Sequence, residues 1–402
     1  MSIFDAFNWT IWSQQLYRLA VFRFDKSRTK LVTDNAQLLM SLALIGVVVG
    51  ELCYIGYKIH LGESIIEHNQ GKKTTHLLVL ILYLEFALTV ICGIYFLINA
   101  ILKRHKQIIF FDKLQKIDDT MRRNFDVILN HGRFKLISIL FLLIVLLYYN
   151  VIVTIVIYIA TRQALKSINA MIILVIYILQ AATSGIFTHG FIGYVMAIYV
   201  RVVKLNLKLG EIVRYPPEHL ELIYASNSEL CMEMMKFTKI YKQLCSCVDE
   251  LNRIYGFSLV LHFTHDFTLL TSQIFCMFYV SYYEQWADSK LKILALVLWM
   301  ILNILKITFI CFVCHVTRNE INECSLNLRK FSNEANEDDL SDLVDMFSLQ
   351  NIHLKTEFTA NNFFSIDMSL FYTIISACTT YLVILIQFKN YEDENTAVGV
   401  VN

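Results

Sequence analysis

The stretch "TTYLVILIQF", Thr379 to Phe388, closes the last apolar run of the chain. Thr and Tyr stand at one end of it and Gln beside Phe at the other. A segment that only anchored a protein in lipid could be Leu, Ile and Val throughout. On a helix Tyr381, Ile384, Leu385 and Phe388 share one face, and Thr380, Ile384 and Gln387 share an adjoining one. A Gln turned to lipid leaves an amide without partners, so Gln387 must meet protein or water. Two arrangements satisfy it. The helix is buried in a monomeric bundle, or it stands at a symmetry axis where an apolar ring forms a constriction and the amide bonds a neighbouring copy.

Working outward, the run is one of many. The chain has 402 residues, 56% hydrophobic and only 17% charged, with mean hydropathy +0.52. An average soluble domain is about 25% charged, so the composition is that of a membrane protein. Seven apolar segments are long enough to cross about 30 Å of hydrocarbon as helices: 36–58, 76–102, 136–160, 169–200, 254–281, 293–316 and 366–388. The expected fold class is therefore all-α, a polytopic bundle of seven transmembrane helices. The only prolines, Pro216 and Pro217, lie outside these runs. The fourth helix is expected to continue past the membrane and to end near Gly210. The N-terminal stretch mixes polar and aromatic residues and does not read as a signal peptide.

Lys and Arg fix the expected orientation. The N-terminal segment and the second, fourth and sixth loops carry 5, 9, 8 and 4 of them; the other loops and the C-terminal tail carry 2, 2, 2 and 1. The positive-inside rule then predicts a cytosolic N-terminus and an extracellular C-terminus. That is opposite to a seven-helix G-protein-coupled receptor. The predicted organisation is a cytosolic segment 1–35, helices one to four in 36–200, a cytosolic helical loop 201–253, helices five and six in 254–316, a cytosolic loop 317–365 with a helix of its own, helix seven in 366–388 and a tail 389–402. Leu244, Val248, Leu251 and Tyr255 form an apolar stripe. Leu340, Val344, Phe347, Leu354 and Phe358 form another. Both stripes must be buried, within one subunit or in an oligomerisation domain. The lack of an internal repeat argues against the commonest transporter folds.

Charges in hydrocarbon mark function or pairing. Segment two holds Glu85; segment five holds His262, His265 and Asp266; segment six holds Lys306. A rise of 1.5 Å per residue puts Asp266 about 18 Å and Lys306 about 15 Å above the cytosolic ends of their helices. They are predicted to pair directly or through water. Glu85 lies higher with no cation at its level, so it faces a water-filled cavity or is protonated. Tyr148, Tyr149, Asn150, Gln180, Thr183, Gln273, Tyr279, Trp299 and Asn303 are the candidates to line such a cavity with it. Aromatic walls with a few polar groups suit a small-molecule ligand.

No catalytic, metal or cofactor site is expected. "CFVCH", Cys311 to His315, matches a haem-attachment pattern but sits in an apolar helix. The "CSC" at 245–247 lacks a second ligand pair for zinc. The ten cysteines read as small core residues. Net charge is +1, which gives no reason to expect nucleic acid.

"TYLVILIQF", Thr380 to Phe388, resembles the Thr-Tyr-(five apolar)-Gln-Phe signature of insect gustatory receptors. The preceding "FTANNFFSIDMSLFYTIISACTTY" resembles their last-exon region, with Asn362 where Gly is common; that implies a less kinked junction than in relatives. The resemblance implies a ligand-gated, nonselective cation channel in the membrane of gustatory-neuron dendrites. It implies a homo- or heterotetramer with related receptors, its central pore lined by the last helix. Ile384 and Phe388 match gate positions, Gln387 matches the amide at the subunit interface, and Tyr381 packs nearby. A small-molecule tastant would bind in the outer half of the first six helices. Leu382 stands where sugar-detecting relatives often carry an acid, which points to bitter or deterrent compounds. The alternatives are a G-protein-coupled receptor, a transporter that uses Asp266 and Lys306 as a coupling pair, and an auxiliary subunit of a heteromeric receptor.

Overall fold

The computed structural model describes residues 3–25, 30–60, 76–129, 168–214, 227–283, 286–333 and 356–399, with scattered positions between 132 and 151. Its helices are α1 (Ile3–Leu16), α2 (Asn35–His60), α3 (His76–Phe125), α4 (Ile168–Arg214), α5 (Asn227–Tyr283), α6 (Trp286–Asn333) and α7 (Met368–Gly399). Two antiparallel hairpins interrupt them, β1 (Phe22–Asp25) with β2 (Lys30–Thr33), and β3 (Thr359–Ala360) with β4 (Phe364–Ser365).

The fold is all-α apart from these hairpins. Among the described residues, four helical stretches are long and apolar enough to cross a membrane: Tyr83–Phe125, Tyr177–Glu211, Lys290–Asn327 and Met368–Glu392. Asn35–Gly50, in α2, is apolar but shorter. The expected segment at 136–160 lies largely outside the described residues. The expected segment at 254–281 is helical within α5, yet is not among the four. Its Ser, Thr, His, Asp and Gln side chains dilute its apolarity, and they turn out to be its working part.

The helices are far longer than a bilayer requires. α5 has 57 residues, about 85 Å of rod. α4 passes Gly210 and stops at Arg214, beyond the expected end. A lone Gly costs a helix only about 1 kcal/mol, whereas Pro216 and Pro217 just beyond cannot continue one. α7 likewise runs on past Phe388 to Gly399, so the expected tail begins as helix.

The core is densest where the extensions of α3, α4 and α5 meet. Tyr194 of α4 packs edge-on to Phe111 at 5.4 Å and stacks with Tyr255 at 5.7 Å. The stripe Leu244, Val248, Leu251 and Tyr255 is buried inside the single chain. Partly buried polar pairs tie these helices together. Arg201 holds Asp118 through two bonds of 2.7 Å, Lys113 reaches Glu250 at 2.7 Å, and Asn206 reaches Glu320 at 2.8 Å. The fork of Arg201 suits a carboxylate in two places at once. Of the second stripe only Phe358 is described, and it is buried; Leu340, Val344, Phe347 and Leu354 lie outside the described residues.

The N-terminal segment is part of this core rather than an appendage. Leu19, Ala20, Val21 and Phe22 are buried, and Gln14 accepts a hydrogen bond from Tyr194 Oη at 2.5 Å. A side chain at Gly190 would collide with the Gln14 amide. Polar residues between short apolar groups give no periodic signal, which is why this wedge is invisible in the sequence.

The β3–β4 hairpin roots α7. Asn361 and Asn362 both adopt positive φ, 51° and 63°. The junction is thus sharply turned, not less kinked as expected from Asn362, because Asn tolerates the left-handed conformation. Gly256 of α5 admits the hairpin closely: a Cβ there would lie 2.8 Å from Asn361 N. Asn252 of α5 donates to Glu357 O at 2.7 Å and accepts from Thr359 N at 3.1 Å. Arg318 of α6 bridges Glu357 at 3.1 Å and Asp367 at 3.2 Å. Asp367 also caps α7, accepting from Ser369 N at 2.9 Å.

Candidate functional site

A helix in lipid must place its polar side chains against protein. α5 does so along one face, and α3, α4 and α6 answer it. Asp266 is wholly buried, with Lys306 Nζ of α6 2.9 Å from its Oδ1. His265 Nδ1 lies 3.1 Å from the same oxygen and His262 Nε2 lies 3.4 Å from Oδ2. His262 in turn contacts Thr188 at 3.1 Å and Ser184 at 3.3 Å on α4. His265 Nε2 lies 3.0 Å from Thr89 Oγ1 of α3.

Thr89 connects this cluster to the next. Its hydroxyl donates to Glu85 O at 2.8 Å, one turn earlier on α3. The Glu85 carboxylate accepts from Tyr177 Oη of α4 at 2.5 Å and from Ser272 Oγ of α5 at 2.5 Å. Tyr177 lies between two rings, stacked with Phe86 at 6.3 Å and with Trp299 of α6 at 5.8 Å. Asn303 donates to Gln273 Oε1 at 3.2 Å, joining α6 to α5 close by. A seam of four helices thus carries a carboxylate, hydroxyls, amides and stacked aromatics.

The structure therefore gathers Glu85, Gln273, Trp299 and Asn303 around this seam. Gln180 is buried, and its amide oxygen occupies space that a side chain at Gly93 would need. Thr183 spends its hydroxyl on Leu179 O at 2.8 Å. Tyr279 lies two turns beyond Ser272, about 10 Å along α5. Tyr148, Tyr149 and Asn150 lie outside the described residues. Among the described residues no cluster of three or more His, Cys, Asp or Glu could hold a metal.

The sequence reading missed Tyr177, Ser272, Phe86 and Thr89. A signal for one of them was present. On α4, Tyr177, Gln180, Ser184 and Thr188 recur at helical spacing in an otherwise apolar run, a polar line that had to face protein.

The same helix α5 touches α7. Thr271 Oγ1 lies 3.5 Å from Cys378 Sγ, and the Phe267 ring meets Tyr381 edge-on at 5.5 Å. Thr271 is adjacent to Ser272, so one residue separates the Glu85 contact from the α7 contact. Beyond this line most of α7 is bare, the buried Lys389 excepted. Only 11% of its most apolar stretch is buried, against 67% for α4. Tyr381, Ile384, Gln387 and Phe388 are all exposed in the single chain.

With this geometry in hand, comparison with known proteins is informative. Residues 13–392 match the family model of the 7tm chemosensory receptors. Gustatory receptor 68a of Drosophila melanogaster is 28% identical over 249 residues, 59% of each chain. Putative gustatory receptor 2a of the same species is 30% identical over 174 residues, 38% of this chain and 40% of the relative. The matched parts thus span three fifths or less of these relatives' lengths. Among solved structures, the insect olfactory receptor OR5 from Machilis hrabei superposes with a TM-score of 0.64, at 12% identity over 96% of this chain and 98% of that one. The same receptor in complex with eugenol gives 0.57, at 12% identity over 96% and 99%.

Proposed function

The chain belongs to the 7tm chemosensory receptor family, and on that premise we propose that it is a ligand-gated, nonselective cation channel of taste neurons. It is a multi-pass membrane protein. The observation that carries the channel reading is the bare face of α7. Apolar residues alone could rest in lipid; the exposed Gln387 could not without a partner. Four copies around an axis give the amide a neighbour and bring Ile384 and Phe388 together as an apolar constriction, which blocks ions by dewetting.

The tastant occupies the seam around Glu85, and Leu382 favours a bitter or deterrent compound over a sugar. A ligand that prefers one arrangement of α3, α4 and α6 against α5 shifts the population of α5 positions. Thr271 and Phe267 pass that shift to Cys378 and Tyr381. The root of α7 stays tied to α5 and α6 through Asn252 and Arg318, so its far part is what moves.

The test is electrophysiological. Cells that express the chain alone, and cells that co-express relatives, are screened with bitter and deterrent compounds under voltage clamp. Ligand-evoked cation current is expected, with Ile384→Ala and Phe388→Ala raising the current that flows without ligand. No current in either setting, or a current indifferent to both substitutions, overturns the proposal.

A further inference from the structure

The seam at Glu85 also carries an inference about ligand class, which rests on reading that seam as the ligand site. Two carboxylates belong to this polar line, Asp266 and Glu85, and they differ in one respect. Asp266 has Lys306 as its counter-ion. Glu85 has only the hydroxyls of Tyr177 and Ser272, one on each oxygen, and among the described residues no Lys or Arg pairs with it. An ionised carboxylate can accept about four hydrogen bonds, so half of its capacity is open. Glu85 is half-buried rather than sealed. Gln180, one turn further along α4, is turned away from it: its Oε1 is sealed against Gly93 of α3, about 12 Å along that helix from Glu85. The unspent acceptor capacity at this seam is that of Glu85.

Beside them stand the rings of Phe86, Tyr177 and Trp299, stacked in that order at 6.3 and 5.8 Å. Aromatic faces carry negative potential and attract cations, most strongly where water is scarce. A bare metal ion does not suit the place, because a single carboxylate supplies too few ligands and, among the described residues, no metal-binding cluster includes it. With a neutral ligand the seam stays comfortable only if Glu85 holds its proton, since the nearest described basic group, His265, stands beyond Thr89; a cation lets the carboxylate ionise with a counter-ion beside it.

The geometry points to an organic ammonium as the ligand class: a protonated or quaternary amine with an aryl or alkyl body. Glu85 is its counter-ion and the Phe86–Tyr177–Trp299 stack its apolar wall. Tyr177 and Ser272 position the carboxylate, and Ser272 places the bound charge one residue from the Thr271 contact with α7.

Purified full-length receptor in nanodiscs is titrated with 2-phenylethylammonium, benzyltrimethylammonium and the neutral 2-phenylethanol, with thermal stability as the readout. Both cations are expected to raise the melting temperature by several degrees and the alcohol by much less. Glu85→Gln is expected to weaken cation binding at least roughly tenfold, the scale of losing a charge-assisted contact, and Glu85→Asp to retain part of it. An alcohol as effective as the cations, no stabilisation by either cation, or unchanged cation binding in Glu85→Gln overturns the inference. The wild-type comparison of cation and alcohol decides the matter even where Glu85→Gln does not fold. Cation binding without current in any cell would sink the channel reading and leave this site standing. Current evoked only by neutral compounds, with no cation bound, would do the reverse.

Discussion

α5 and α7 cross the same apolar surroundings, and each carries polar side chains there, but one copy of the chain completes only α5. The buried polar residues of α5 that line the seam, from His262 to Gln273, meet α3, α4 or α6. α7 meets the rest of the chain along a narrow line, at Cys378 and Tyr381 and at its root, and presents Ile384, Gln387 and Phe388 to the outside. The lesson is that polar groups in a membrane helix are a map of its neighbours. Where the partners lie within the chain, the helix is structural or ligand-facing. Where none is found among the described residues, as at Gln387, the partner proposed is another copy of the chain.

Substitutions at five positions break or sharpen that contrast. Lys306→Met should have the largest effect, since it strands the wholly buried Asp266. Removal of one partner from a buried pair costs about 3–5 kcal/mol, so the variant should give little monodisperse protein on size-exclusion chromatography. The double variant with Asp266→Asn should restore it, and failure to do so would mean the pair is not what holds α5 to α6.

Gly256→Ala attacks the root of α7 rather than the seam. Its Cβ would press on the Asn361 backbone at 2.8 Å, an overpacking worth about 1–3 kcal/mol. A melting temperature indistinguishable from wild type would show the hairpin free to retreat.

Gln387→Leu tests the bare face. The fold of one copy should hold, because the residue is exposed there. If the amide joins copies, the tetramer fraction measured by mass photometry should fall, as a loss of about 1 kcal/mol per interhelical bond implies. An unchanged oligomer distribution would assign the bare face to lipid.

Asn362→Gly should have the smallest effect. Gly relieves the left-handed strain at φ 63° but enters with more unfolded-state entropy, so the net change is expected within about 0.5 kcal/mol. Asn362→Val should lower thermal stability by about 1–2 kcal/mol, since a branched side chain resists that conformation.

Much of the helical layout was legible because hydropathy reports on segments directly. The similar depth of Asp266 and Lys306 followed from helix rise alone, and in the structure they stand 2.9 Å apart. The surroundings of Glu85 were harder to read. Its partners come from α4 and α5, 92 and 187 residues away, and nothing in one sequence tells which helices are neighbours. Ser272 and Thr89 also look like ordinary small residues of membrane helices. The N-terminal wedge escaped for a different reason. Thr10, Ser13 and Gln14 are buried polar residues, the very types that composition assigns to a surface.

The Arg318 clamp has a mechanical corollary. By fastening Glu357 and Asp367 on either side of the hairpin, it makes α7 a reed held at its foot. Ile384 stands 16 residues above Met368, about 24 Å up the reed. A lean of about 5° there displaces Ile384 by about 2 Å, while the clamped foot scarcely shifts. In the proposed tetramer, four such reeds leaning outward together would widen the throat by about 4 Å, enough to pass a bare alkali cation.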